Sequence, residues 1–94
     1  FVHLYSWSEA LTMGEHEYVI YVYGNDCDFC QDIEEQVYEY AIDFAEVYFL
    51  NLSHVDNDDD ALVDAVPALL VISAGEVLEE HVGATDILNY INGQ

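Results

Sequence analysis

Two cysteines separated by two residues, in Cys27-Asp28-Phe29-Cys30, are the groups in this sequence best suited to chemistry. Thiols at that spacing can pass between a dithiol and a disulfide, with the thiolate as the reactive form. The segment ahead of them, Tyr18-Val19-Ile20-Tyr21-Val22-Tyr23, is a continuous β-branched and aromatic run, the pattern of a strand buried on both faces. Gly24-Asn25-Asp26 reads as a turn. From Cys27 to Ala45 the apolar period changes to that of a helix. Cys30, Ile33, Val37, Tyr40, Ala41 and Phe44 share one face, and Gln31, Asp32, Glu34, Glu35, Glu39 and Asp43 fall away from it. The pair therefore sits at a strand-to-helix junction. There the unpaired amides and the dipole of the helix N-terminus stabilise a thiolate on the first cysteine. The second lies one turn on, close enough to attack a mixed disulfide. Cys27 is the expected nucleophile and Cys30 the buried resolving thiol.

The surrounding elements must hold that junction. Val2 to Tyr5 is a short β-prone run, and Ser6-Trp7-Ser8-Glu9 has the form of a capping box opening a helix over Trp7 to Met13, closed by Gly14. Val47 to Leu52 reads as a second buried strand. The acidic stretch Ser53 to Asp60 reads as a loop whose last residues cap a short helix around Ala61 to Asp64. Ala68 to Ile72 and Val77 to Val82 form a hairpin across Ser73-Ala74-Gly75-Glu76. Gly83 breaks it, and a last helix starts at Thr85 or its neighbour with Ile87, Leu88 and Ile91 inward. The order β, α, β, α, β, α, β, β, α predicts one α/β domain over residues 1–94, a mixed central sheet with helices on both faces.

On these residues the chain resembles the thioredoxin family along nearly its whole length. The matching pieces are Tyr18 to Tyr23, the dithiol, Leu50-Asn51-Leu52, Val66-Pro67 leading into Ala68 to Ile72, Gly75-Glu76-Val77-Leu78 and Val82-Gly83-Ala84. The resemblance implies the thioredoxin fold and a cis Val66–Pro67 peptide lying against the dithiol. It implies protein disulfides as substrates, positioned by Val66 and Pro67 with exposed Phe29 as a further contact, and a thioredoxin-reductase-type partner. No cofactor is implied. The pattern also departs from the family. Asp26 stands where Trp is usual, Asp28-Phe29 where thioredoxins have Gly-Pro, and Ala68 where Thr commonly follows the proline. Tyr21 takes the place of a buried acid, and Phe49 that of its Lys, so the proton-transfer pair is missing.

The charge is all of one sign. Twenty Asp and Glu stand against no Lys and no Arg, a formal net charge of -20, in a 94-residue chain that is 53% hydrophobic. An ordinary domain is about 25% charged with both signs present. Asp43 and Glu46 at a helix end, Glu15 and Glu17 before a strand, and Glu79-Glu80 occupy ordinary places for Lys. We therefore expect a variant whose basic residues were replaced mostly by acidic ones. Such a chain has no means of holding nucleic acid backbone or anionic lipid, and no apolar run approaches the roughly 18 residues of a membrane span. Phe1 to Tyr5 shows neither a basic start nor a cleavage site, so no signal peptide, a cytoplasmic setting and a monomer are expected. Asp26 and Asp28 flank Cys27. A like charge about 6 Å away in water-like dielectric costs roughly 0.7 kcal/mol, or about half a pKa unit, so both oppose the helix dipole.

Metal readings are weak. Zinc would need Cys27 and Cys30 with two of His3, His16, His54 and His81, which are scattered, and each His reads as a surface residue. Asp56, Asp58, Asp59 and Asp60 lack the glycine and terminal Glu of a calcium loop. The reading is a thiol–disulfide oxidoreductase with no metal. The alternatives are a scaffold made to test a fold without positive charge, or a non-catalytic interaction domain with a vestigial disulfide.

Overall fold

A computed structural model of the chain describes residues 2–4, 6–12, 14, 16–25, 27–43, 46–54 and 65–93. Strands β1 (Val2–Leu4), β2 (Tyr18–Tyr23), β3 (Val47–Asn51), β4 (Ala68–Ser73) and β5 (Glu76–Val82) form one sheet in the order β1-β3-β2-β4-β5. β1 and β2 run parallel to β3, whereas β4 is antiparallel to both β2 and β5, so the sheet is mixed. The apolar run of β2 places it centrally, because only an interior strand buries both faces. Its side chains alternate between two layers. Tyr18, Ile20 and Val22 pack with Leu4, Trp7, Ala10, Leu50 and Leu70 under helix α1 (Trp7–Ala10). Val19 and Tyr21 pack with Ile33, Val37, Phe49 and Ile87, beneath α2 (Asp28–Asp43) and α3 (Ala84–Ile91). Each large apolar side chain so buried contributes on the order of 1.5–3 kcal/mol, and the two layers hold β2 from both sides.

Several element ends differ from the periodicity. α1 stops at Ala10 rather than running to residue 13. The amide of Thr12 turns back to the Glu9 carbonyl at 3.1 Å, and its hydroxyl donates to the Ser8 carbonyl at 2.9 Å, closing the turn early. The Ser6 cap is formed, its Oγ accepting from the Glu9 amide at 3.2 Å. β3 ends at Asn51, and Leu52–His54 forms a 3-10 turn instead of prolonging the strand. The cause is the Asn51 side chain, whose Oδ1 accepts the Ser53 amide at 2.9 Å, a local bond that competes with the ladder. α2 opens at Asp28, with Cys27 just ahead of it, and is described to Asp43. Phe44, Ala45, Met13, Glu15, Asp26, the acidic loop from Val55 to Asp60 and the short helix expected around Ala61 to Asp64 lie outside the described residues. The β4–β5 hairpin turns through Ala74 (φ 53°) and Gly75 (φ 76°), two left-handed residues as a two-residue hairpin loop of this hand requires.

Candidate active site

The dithiol is built where β2 hands over to α2. Cys27 directly precedes the helix and Cys30 lies in its first turn, and the two form a disulfide with Cα atoms 5.2 Å apart. The Cys30 amide donates to the Cys27 sulfur at 3.1 Å. The sulfur thus takes the position of a side-chain N-cap, aimed at by one of the amides that a helix start leaves without intrahelical partners. In the reduced state that donor and the helix dipole favour a thiolate on Cys27. Cys27 is 9% exposed and Cys30 4%, so the capping cysteine is also the more accessible residue.

The loop ahead of Cys27 is laced to the turn after β3. Asn51 Nδ2 donates to Asn25 Oδ1 at 2.8 Å, and the Asn25 amide donates to Ser53 Oγ at 3.2 Å. The sequence placed Asn25 in a turn and Asn51 at the end of a strand run but gave no sign that they and Ser53 bond to one another. Gly24 lies between the dithiol and the proline segment. A Cβ there would sit 3.4 Å from Val66 Cγ2 and 4.0 Å from Cys27 Cβ. The Val66–Pro67 peptide is cis, and the Pro67 carbonyl accepts the Gly83 amide at 2.9 Å. Phe29, 66% exposed, joins two shallow hollows, one shared with Cys27 and Val66 and one with Pro67 and Val82. The structure therefore brings Cys27, Cys30, Phe29, Val66 and Pro67 to one end of the sheet.

Beneath the dithiol, Tyr21 faces Phe49 in register, with ring centroids 6.0 Å apart and the rings edge to face. The Tyr21 hydroxyl donates to the Cys30 carbonyl at 3.2 Å. Burial, and then the Glu34 carboxylate, push the Tyr21 phenol far above its ordinary range, so it holds its proton at neutral pH. Burial and the hydrogen bond it donates to Glu34 raise Tyr38 as well. Asp28 is exposed in the first turn of α2.

The histidines are dispersed. His3 packs on Tyr23 and Phe49, and His16 is exposed ahead of β2. His81 is half-buried rather than on the surface. It lies on Tyr90 with centroids 4.5 Å apart, and its ring nitrogens are each 3.4 Å from a carboxylate, Glu79 or Asp86. Among the described residues no three His, Cys, Asp or Glu side chains gather into a metal-sized group, and no helix is long and apolar enough to cross a membrane.

A mixed five-stranded sheet with helices on both faces and a Cys-x-x-Cys disulfide at the β2–α2 junction is the thioredoxin fold. The chain resembles the Schistosoma mansoni thioredoxin pre-protein with a TM-score of 0.79 and 17% identity, over 97% of this chain and 94% of that one. Thioredoxin f2 from Chlamydomonas reinhardtii gives 0.78 and 13%, over 98% and 94%. The Malassezia sympodialis thioredoxin gives 0.76 and 19%, over 98% and 89%. No protein-family model and no curated relative matches the sequence.

Proposed function

We propose that the chain is a thiol–disulfide oxidoreductase. The observation that carries this reading is the Cys30 amide directed at the Cys27 sulfur at the start of α2. The reduced Cys27 thiolate attacks one sulfur of a substrate disulfide, forming a mixed disulfide and expelling one substrate thiolate. Cys30, as thiolate, then attacks the Cys27 sulfur and expels the second. The substrate gains two electrons and the chain is left with the Cys27–Cys30 disulfide. A thioredoxin-reductase-type partner returns the electrons. Val66 and Pro67 hold an extended protein substrate against the dithiol, and Phe29 contacts its apolar side chains. The setting belonging to this reading is cytoplasmic, where a Cys-x-x-Cys serves catalysis more often than structure. One sheet shared by strands from both halves of the chain supports residues 1–94 acting as a unit, and the charge supports a monomer.

Insulin reduction with a dithiol donor, together with trapping on Cys30→Ser, tests the reading. Turnover and a stable mixed disulfide at Cys27 are expected. No turnover and no trapped species would leave a structural disulfide on an inherited scaffold.

A second reading concerns origin and is compatible with the first. Among the described residues none of the α-helices carries a basic residue in its last turn, where the dipole favours one. This supports a parent sequence with Lys or Arg at such positions, and recovery of that parent is the test.

A further inference from the structure

On the α2 side of the sheet, behind Cys30, a cavity of about 350 Å³ is walled by the rings of Tyr21, Tyr23, Tyr38 and Phe49, with Glu34 also lining it. We propose that this cavity binds an alkylammonium group. Three observations carry the proposal.

The first is the aromatic wall. Tyr21 and Tyr23 lie nearly parallel at 5.9 Å, Tyr21 meets Phe49 edge to face, and Tyr38 meets Phe49 at 5.3 Å and 46°. Four aromatic rings thus line one space, and aromatic rings attract an organic cation. Tyr21 and Phe49, which line it, are themselves buried. The phenols of Tyr21 and Tyr38 are shifted upward, and the rings stay neutral across the physiological range.

The second is the acceptor set. Glu34 brings a carboxylate whose Oε1 already accepts the Tyr38 hydroxyl at 2.9 Å, which orients it. The third is charge complementarity. Among the described lining residues none is cationic, and the chain has no Lys or Arg; the one base that meets two of the wall rings is His3, on Tyr23 and Phe49. An anion is excluded by Glu34 and by the net charge of -20. A neutral apolar ligand would gain nothing from the oriented Glu34 carboxylate. The proposal rests on the lining of the cavity and not on the turnover proposed above, so either can fail alone.

The experiment uses the intact oxidised chain and nuclear magnetic resonance, with sodium chloride exchanged for ligand at constant ionic strength. Choline and n-butylammonium are the free amines, a Gly-Lys-Gly peptide is the polypeptide source, and 3,3-dimethylbutan-1-ol is the neutral analogue of choline. Saturable shifts at Tyr23, Glu34 and Tyr38 with an ammonium ligand, and none with the alcohol, are expected. Tighter binding of the peptide than of the amines assigns the site to a protein side chain; the reverse assigns it to a small amine. Glu34→Gln, which keeps the shape of an exposed residue, should weaken binding roughly 5–10-fold, and Tyr38→Ala by a similar factor. Glu39→Gln, outside the lining, should leave it unchanged. Equal shifts with the alcohol, non-saturating shifts spread over the surface, or full affinity in Glu34→Gln would each overturn the proposal.

Discussion

The Tyr21 hydroxyl donates to the Cys30 carbonyl at 3.2 Å, so a phenol on the central strand supports the first turn of the dithiol helix from below. Tyr21→Phe keeps the ring between β2 and α2 and removes only this bond. It should lower stability by about 1 kcal/mol. Tyr21→Ala also opens a void in the layer it shares with Ile33 and Phe49, and should cost about 3–5 kcal/mol. Urea unfolding checks both, and equal losses for the two variants would show that the hydroxyl, not the ring, carries the contribution.

Alkaline pH should unfold the protein through its tyrosines. Burial is the leading cause of the upward shifts at Tyr21, Tyr38, Tyr48 and Tyr90, with Tyr90 pushed up to about 12. Because the folded state keeps these protons longer than the unfolded chain, stability is intact below the ordinary tyrosine value near 10 and declines as pH rises through the folded values. Phenolate absorbance should show these four ionising above the ordinary tyrosine value, together with loss of structure. Their ionisation near 10 in a still-folded chain would contradict the burial argument.

Salt should stabilise the fold. With a net charge of -20 and no Lys or Arg, repulsion among surface carboxylates is not offset, and it is screened over about 10 Å at 0.1 M salt. The melting temperature should rise with sodium chloride, and also on mild acidification toward the isoelectric point near 4.1. A melting temperature flat in salt would mean that the carboxylates are already spaced beyond effective reach.

The hairpin turn holds a correctable strain. Ala74 adopts φ 53°, a left-handed conformation that costs an L-residue with a Cβ roughly 1–2 kcal/mol. Ala74→Gly or Ala74→Asn should raise stability by about 0.5–1 kcal/mol in a denaturant series. Destabilisation by both would show that the alanine methyl makes a compensating contact.

Asp28 should set the reactivity of the dithiol. Its carboxylate lies in the same first turn as the amide that caps Cys27. Asp28→Asn should lower the Cys27 thiolate pKa in the reduced protein by about half a unit, measured as thiolate absorbance against pH. An unchanged value would place the carboxylate too far from the sulfur to matter.

What could be read from residue order was the chemistry that neighbours enforce. The Ser6 cap, the buried run of β2 and the placement of Cys27 ahead of an amphipathic helix all follow from local pattern. The aromatic pair Tyr21 and Phe49 was marked by the resemblance rather than by local pattern, as departures from the family, and the two face each other in register. Element ends were less legible, because single side chains decide them: Thr12 closes α1 and Asn51 ends β3. The bracing of Asn25 by Asn51 and Ser53 was invisible for another reason. It joins segments about 26 residues apart, and no periodicity reports which polar loop residues meet. The tyrosine-walled cavity is likewise a product of β2, β3 and α2 coming together.

β5 lies at one margin of the sheet, and its Val77, Leu78 and Val82 are exposed. A strand with free backbone groups and apolar side chains would ordinarily invite a second copy to extend the sheet. Glu76, Glu79 and Glu80 punctuate the same strand, so two copies aligned there would set carboxylate against carboxylate with no Lys or Arg to intervene. The same carboxylates that oppose edge-to-edge pairing at neutral pH should therefore cease to oppose it under acid. The protonation that quiets repulsion within a single molecule also removes the barrier between molecules.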